Sequence, residues 1–484
     1  MSPLPGATLA ISLPGTGTII AAIAGVLAVL TALVLLMRRH RDAFPLLAIL
    51  ALPFRLPVSA DNKTVNLLIP LYLVVAAGTI ALLLPRLFTR GPGEPAAGSQ
   101  ASGDGPPHRQ PVAWLSPRGV EWLLFGAVVL YALQGIYSSD QAKAAENVAF
   151  FYVPFALLFL LLREVRWTRQ LLLQCLAIAV ALAVVFAGVG FVEYSRKALF
   201  LNPKVVAANQ YDNYFRVNSL FFDPNIYGRF LALVMIAVTT AVLARAHEPY
   251  DPRRRRDVLL GGAVLAWLLA GLVTSFSQSS IAALLLGLAV LAAWQWDVRG
   301  TVYASGALVA LAVAVVLIAP PSLHFGLKGS GGSTSNATSG RTKLIEGGLE
   351  LFVKRPLQGY GSGSFEVEYK RHSQTSAENA TSASHTIPVT VAAEQGLPGL
   401  ALYLALLISA VVVLFRGAAR APPRIALAAC FAALVLHTWT YADFLEDPFS
   451  WTLLAIGMAL ARQLPSTRQP HAVGDAPSGV ALRQ

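Results

Sequence analysis

Apolar runs near the ~20 residues that an α-helix needs to cross a bilayer recur from one end of this chain to the other. Such a chain has few folds open to it, because backbone amides and carbonyls must be paired in hydrocarbon and only helices or closed barrels pair them all. The alternation of apolar and polar residues that marks barrel strands is absent. Composition agrees: 55% of the 484 residues are hydrophobic and 13% charged, whereas charged residues make up about a quarter of a soluble domain. The expected fold is all-α, a polytopic membrane protein with about 12–13 transmembrane helices.

Candidate spans are residues 18–37, 43–59, 65–88, 119–137, 147–163, 170–192, 225–245, 257–274, 279–296, 301–320, 385–415, 424–441 and 448–462, the second and last being short. Orientation follows from Lys and Arg in short loops, which favour the cytoplasm. Arg38, Arg39 and Arg41; Arg109 and Arg118; Arg163, Arg166 and Arg169; Arg253 to Arg256; and Arg416, Arg420 and Arg424 share one side if every span crosses. The segments around 60–64, 138–146, 193–224, 321–384 and 442–447 then face outward. The N-terminal MSPLPGATLAISLPGTG lacks the basic region of a cleaved signal, so the first apolar run reads as a retained helix.

The expected organisation is a transmembrane bundle over 1–320 with an outer loop at 193–224, a large outer loop over 321–384, C-terminal helices over 385–462, and a disordered cytoplasmic tail over 463–484. Residues 89–111 read as a flexible linker. The net charge of +12 suits anionic lipid headgroups and an anionic substrate, with membrane lipids and no nucleic acid expected as partners. Cys175 and Cys430 both lie in apolar runs, which indicates neither a disulfide nor a cysteine metal site.

The long polar segment from Pro321 to Gly399 breaks this apolar pattern. Within it Leu344, Ile345, Leu349 and Phe352 recur at near-helical spacing, predicting an amphipathic helix on the bilayer that stops at Pro356. Arginines on the outer face run against the topogenic bias, and Arg55, Arg216, Arg229, Arg341 and Arg355 could reach one outer basin. The planar guanidinium fork binds phosphate oxygens through two charge-assisted hydrogen bonds, so such a basin suits a diphosphate. The competing reading has these arginines on lipid headgroups or paired with Glu346, Glu350, Glu366 and Glu368.

Pro388 favours the first turn of a helix, which places His385 just before the eleventh span. The positive end of that helix disfavours imidazolium and leaves a neutral histidine able to accept a proton from a hydroxyl nucleophile. A cap or a headgroup contact is the plainer role. Glu394 is six residues beyond Pro388, about 9 Å deeper, and needs a partner or a wet cavity there. Gly396, Pro398 and Gly399 would kink the helix and open room for one. The run G359-Y-G361-S-G363 follows no strand and opens no helix of the phosphate-binding kind, so a turn is expected. The outer acidic residues lack paired-carboxylate spacing except at 443–447, and no catalytic metal is expected.

Three stretches, R216-VNSLFFDPNIYG, R341-TKLIEGGLELFVKRPLQGYGSGSF and H385-TIPVTVAAEQGLPG, together resemble the O-antigen ligase family and its polymerase relatives. Arg216, Pro224 and Asn225 match its arginine and Pro-Asn pair. Arg341, Pro356, Gly359, Gly361 and Gly363 match its second arginine and glycine turn, and His385, Glu394, Gly396 and Gly399 its histidine motif. Thr386 departs from the asparagine that often follows the histidine, and an extra N-terminal span departs from the usual count. The resemblance implies a GT-C-like glycosyltransferase of the bacterial cytoplasmic membrane, with its active site on the periplasmic face and no cofactor or metal. Its donor would be an undecaprenyl-diphosphate-linked glycan and its acceptor lipid A-core or another glycan. It further implies Arg216 and Arg341 as diphosphate ligands and His385 as base or acceptor-orienting group; Arg55, Arg229, Arg355, Asn225, Tyr360 and Glu394 are the residues expected at the substrate. The oligomeric state stays open.

O-antigen polymerase and protein O-oligosaccharyltransferase are alternatives within the same chemistry. From another class, a lipid-linked glycan transporter or flippase would place polar groups near the midplane on broken helices. A non-catalytic assembly scaffold would need no His385.

Overall fold

The computed structural model describes residues 16–60, 63–89, 113–199, 215–296, 299–300, 333–373, 384, 386–441 and 443–463. Among them, nine helices are long and apolar enough to cross a membrane. The helices are α1 (Thr16–Arg39), α2 (Ala43–Ala51), α3 (Ile69–Gly78), α4 (Leu84–Thr89), α5 (Pro117–Gly135), α6 (Gln141–Asn147), α7 (Val153–Arg163) and α8 (Arg169–Arg196). They continue with α9 (Pro224–His247), α10 (Pro252–Thr274), α11 (Gln278–Gln295), α12 (Ser333–Lys354), α13 (Phe365–Ser373), α14 (Ile387–Phe415), α15 (Pro422–Thr440) and α16 (Pro448–Arg462). A π turn at Thr79–Leu83 joins α3 to α4, and another at Val148–Tyr152 joins α6 to α7 into one span.

Helix starts follow from local chemistry. Asp223-Pro224, Asp251-Pro252 and Asp447-Pro448 each put a capping carboxylate before a proline at the first helical position, where the missing amide costs nothing. Ser116, Asp140, Thr168 and Ser277 cap four further helices through the side chain. Helix α14 begins at Ile387 with Pro388 in its first turn, as the sequence predicts.

One expectation is corrected. The span expected over 43–59 is a short helix, α2, followed by an antiparallel hairpin of β1 (Leu56–Ala60) and β2 (Lys63–Leu67), with Leu56 opposite Leu67 and Ala60 opposite Lys63. The β-branched Val58, Thr64 and Val65 favour extended backbone, and nine residues of α2 reach only about 14 Å, too short to cross alone. The amphipathic helix extends over Ser333–Lys354 and stops before Pro356. Leu344 and Leu351 are buried with Tyr360, Phe365, Tyr369 and Ala393 in a small second core, while Leu349 and Val353 are exposed. Gly348 opens that face, where an added Cβ would press on Val389 of α14. The candidate span 301–320 and the linker 89–111 lie outside the described residues, apart from Thr89 at the end of α4.

At one end of the bundle, arginines of the short loops pair with acidic residues. Arg163 and Arg462 both meet Glu121, Arg86 meets Glu164, Arg169 meets Glu248, and Arg245 reaches Glu248, Asp251 and Asp257. The Trp294 indole donates to the Ala419 carbonyl at the same end. Helix α9 is the most buried of the nine spans and packs on α8, α10, α11 and α15. Cys175 and Cys430 are buried and free.

Candidate functional site

At the opposite end, the chain enters α9 through Arg216 to Asp223. Phe221 is buried and packs edge-on against Phe186 of α8, anchoring the segment to the core. The fully buried Glu193 at the end of α8 accepts the amides of Asn218 (3.3 Å) and Ser219 (2.7 Å). Those bonds hold Ser219 at φ 52°, a left-handed conformation costly for a residue with a Cβ. The Val217 amide donates to the Thr274 carbonyl (3.2 Å).

The half-buried Arg216 is thereby fixed at the ends of α9, α10 and α11. Its Nε donates to the Ser275 carbonyl (3.2 Å) and its Nη2 to Asn225 Oδ1 (3.3 Å). That same oxygen accepts from Ser277 Oγ (2.9 Å), and Ser277 Oγ lies 2.7 Å from Ser280 Oγ. Ser280 Oγ is in turn 3.2 Å from Nε2 of the fully buried His437. A chain of hydrogen-bonding groups thus runs from the arginine into the bundle, and Asn225 is its hub.

The second and third motifs are two halves of one interlock. Gly396 is non-helical (φ 65°, ψ −161°) inside α14, and Pro398 has no amide to give. The Leu397 amide turns to the Pro356 carbonyl instead (2.7 Å). Carbonyls left over at the kink are taken by neighbours: Ala393 by the Tyr360 amide (3.2 Å), Glu394 by the Gly361 amide (2.8 Å), and Gln395 by Gln134 Nε2 (3.1 Å). The Glu394 carboxylate completes the lock by accepting the amides of Gly363 (2.9 Å) and Phe365 (3.1 Å).

On its far side the glycine turn is held by α5 and the following loop. Tyr137 donates to Gln358 O (2.6 Å), Ser138 Oγ to Ser362 O (2.8 Å), and the Ser139 amide to Tyr360 O (3.2 Å). Gly361 adopts φ 93°, and a Cβ there would overlap the Ser138 backbone. The turn therefore spends its amides on Glu394 and α14, as a structural turn rather than a phosphate cradle.

Beside this lock lies a cavity of about 150 Å³ between α5, α6, α14 and the loop before α16, lined among others by Lys143, Asn147, Tyr152, Thr390, Glu394 and Glu446. Asn147 Nδ2 donates to Tyr131 OH (2.7 Å) and to Glu446 Oε1 (3.0 Å). Burial and then the nearby Asp443 push the Glu446 carboxyl above the usual carboxylate range, with Lys143 and Arg55 opposing. In the neighbouring Asp447, burial raises the carboxyl while Arg229 opposes.

The expected arginine basin is brought together only in part. Arg229 is 1% exposed and its Nη2 meets Asp447 Oδ2 at 2.7 Å, so it pairs with an internal carboxylate. Arg55 is half-buried, and its charge acts on Glu446 and Asp447. Arg355 is exposed and stacks over the Tyr360 ring at 4.5 Å, which makes these two each other's partner. Arg341 belongs to α12, on the helical register of Leu344 and Gly348, and its side chain lies outside the described residues. His385 lies outside the described residues too, although its neighbours are tied: Ser384 Oγ donates to Thr386 O (2.8 Å), and the Ser384 amide to Thr390 Oγ1 (3.1 Å). Among the described residues, no three His, Cys, Asp or Glu side chains are grouped to hold a metal ion.

Sequence reasoning does not single out Glu193, His437, the serines of 275–280, or Asn147 with Glu446. Two signals are present, an acid inside an apolar span at GFVEYSR and the serine-rich SFSQSS before α11. No curated protein matches the chain. Residues 263–404, which hold the second and third motifs and their interlock, match the family model described as O-Antigen ligase. That part of the chain is therefore similar to the O-antigen ligase domain.

Proposed function

We propose that the protein is a membrane glycosyltransferase that moves a glycan from undecaprenyl diphosphate to an acceptor hydroxyl, with lipid A-core as the acceptor, at the outer face of the bacterial cytoplasmic membrane. Arg216 and Arg341 bind the diphosphate and stabilise the leaving group, and His385 takes the proton from the attacking hydroxyl. Arg55 contributes further positive charge, and Asn225 orients Arg216. No cofactor or metal takes part in this reading.

The observation that carries it is the fixed station of Arg216, held by Ser275 and Asn225 at the end of the bundle away from the basic loops. Helix α12 supports it from the other side. Gly348 touches the first turn of α14, and Arg341 stands two turns earlier on the same register, about 10 Å away along the helix. A flippase reading gains little, because the buried Arg229 is only five residues into α9, about 8 Å from its end.

The test uses purified protein with labelled undecaprenyl-diphosphate glycan and, in separate reactions, lipid A-core, a second donor molecule, or a pilin-like protein. Product with lipid A-core is expected. Product only with the second donor makes the protein a polymerase, and product only with the pilin-like protein makes it a protein O-oligosaccharyltransferase. Transfer surviving intact in His385→Ala removes the histidine from the mechanism.

A further inference from the structure

The cavity between α5, α6, α14 and the loop before α16 is distinct from the arginine residues assigned to the diphosphate. We infer that it binds one saccharide unit, neutral or aminated, of a glycan substrate; the inference rests on the glycan-transfer reading above.

Charge disfavours a phosphate here. Asp140 and Asp443 line the space beside the carboxyl of Glu446 and Glu366, the latter paired with Lys370 at 2.6 Å, and the single lining cation, Lys143, is itself paired with Glu146 at 3.1 Å. Such a lining repels anions and accepts hydrogen bonds from hydroxyl or ammonium groups. Among the described residues Asp443 makes no hydrogen bond, and the one bond Glu446 is seen to accept, from Asn147, leaves further lone pairs.

One buried polar group of the lining is incomplete. Asn147 is 2% exposed and its Oδ1 has no partner among the described residues, and the 5% exposed Tyr152 stands beside it. Both line the cavity. A buried polar atom left this way is costly, so a hydrogen-bonding occupant is called for. Ile387, Val391 and Leu402 supply an apolar wall for the C–H face of a ring.

Size limits the occupant. A volume near 150 Å³ falls below the ~300 Å³ at which drug-sized pockets begin. It suits one ring better than an oligosaccharide. Ile387 and Thr390 in the wall belong to the first turn of α14, so the unit would sit directly beside the segment that carries His385.

The experiment measures transfer kinetics of the full chain in nanodiscs for wild type, Tyr152→Phe and Glu446→Gln, varying donor and acceptor separately. A rise of about tenfold in one KM is expected, equivalent to one lost hydrogen bond of about 1.4 kcal/mol. Which KM rises tells whether the unit comes from the donor or the acceptor. Binding of undecaprenyl diphosphate without sugar should not change. Unchanged KM values in both variants overturn the inference.

A second arm works even if wild type transfers nothing, in which case the reading above fails by itself. Saturation-transfer NMR with methyl α-glucoside, glucosamine and glucuronate should show contact for the first two, reduced in Tyr152→Phe, and none for glucuronate. Equal contact for all three sugars, or no loss in Tyr152→Phe, also overturns the cavity assignment.

Discussion

Arg229 and Asp447 meet at 2.7 Å with each side chain 1% exposed, joining α9 to the N-cap of α16. The contact lacks good hydrogen-bond alignment, and Arg229 Nε and Nη1 have no partner among the described residues. A buried pair of this kind is weak evidence for net stability, yet breaking it strands a charge. Arg229→Met or Asp447→Asn alone is expected to cost about 3–5 kcal/mol, and the double variant should recover most of that loss. Thermal unfolding of the four proteins in one detergent checks this, and additive losses would show that the two residues are not coupled.

Glu394 offers two carboxylate oxygens to two amides, those of Gly363 and Phe365. Glutamine keeps one acceptor and turns a donor group toward the other amide. Glu394→Gln should therefore cost about 1–3 kcal/mol and loosen the turn, seen as faster hydrogen exchange across Gly359–Phe365. Unchanged exchange there would separate Glu394 from the interlock.

Gly361 has no room for a side chain. Its φ of 93° is unfavourable for any residue with a Cβ, and the added carbon would meet Ser138 backbone. Gly361→Ala should destabilise by at least about 2 kcal/mol and reduce transfer by pulling the turn away from α14. Normal stability and normal transfer together would show that the loop yields freely.

If Arg216 grips a diphosphate as a fork, charge alone will not replace it. Arg216→Lys should lower transfer roughly 10- to 100-fold, the equivalent of one charge-assisted hydrogen bond of about 1.5–3 kcal/mol. Asn225→Ala should fall in the same direction, since Asn225 holds the guanidinium. Near-normal rates in the lysine variant would argue for a point charge.

Glu446 gives a pH signature. Burial and Asp443 raise its folded-state affinity for a proton above the unfolded value, so the folded state binds more protons and stability falls as pH rises through that raised range. Wild type should lose thermal stability between about pH 4.5 and about pH 8 more steeply than Glu446→Gln. Identical slopes would assign the loss to other groups.

Much of the scaffold is legible in the sequence because hydropathy acts over one helix at a time. The starts of α9, α10 and α16 are written in their Asp-Pro pairs, and the kink beside Glu394 in Gly396 and Pro398. What that kink is for is not legible. The released carbonyls are met by Tyr360 and Gly361, more than thirty residues earlier, and by Gln134, from another helix. Arg229 illustrates the same limit from the other side: its outward position in sequence suggests a ligand, while its partner Asp447 comes from a distant loop. Glu193 and Glu446 likewise gain their roles only from chain that folds back onto them.

The π turn at Val148–Tyr152 has a consequence of phase. In unbroken α-winding Asn147 would share a face with Phe155, Leu158 and Leu162, all fully buried in the core. One extra residue wound into the span rotates α6 by about 100° relative to α7. Asn147 is thereby swung off the core stripe and toward Glu446, while α7 keeps its grip on the bundle. A single residue out of step lets one continuous span be wet at its head and dry along its body.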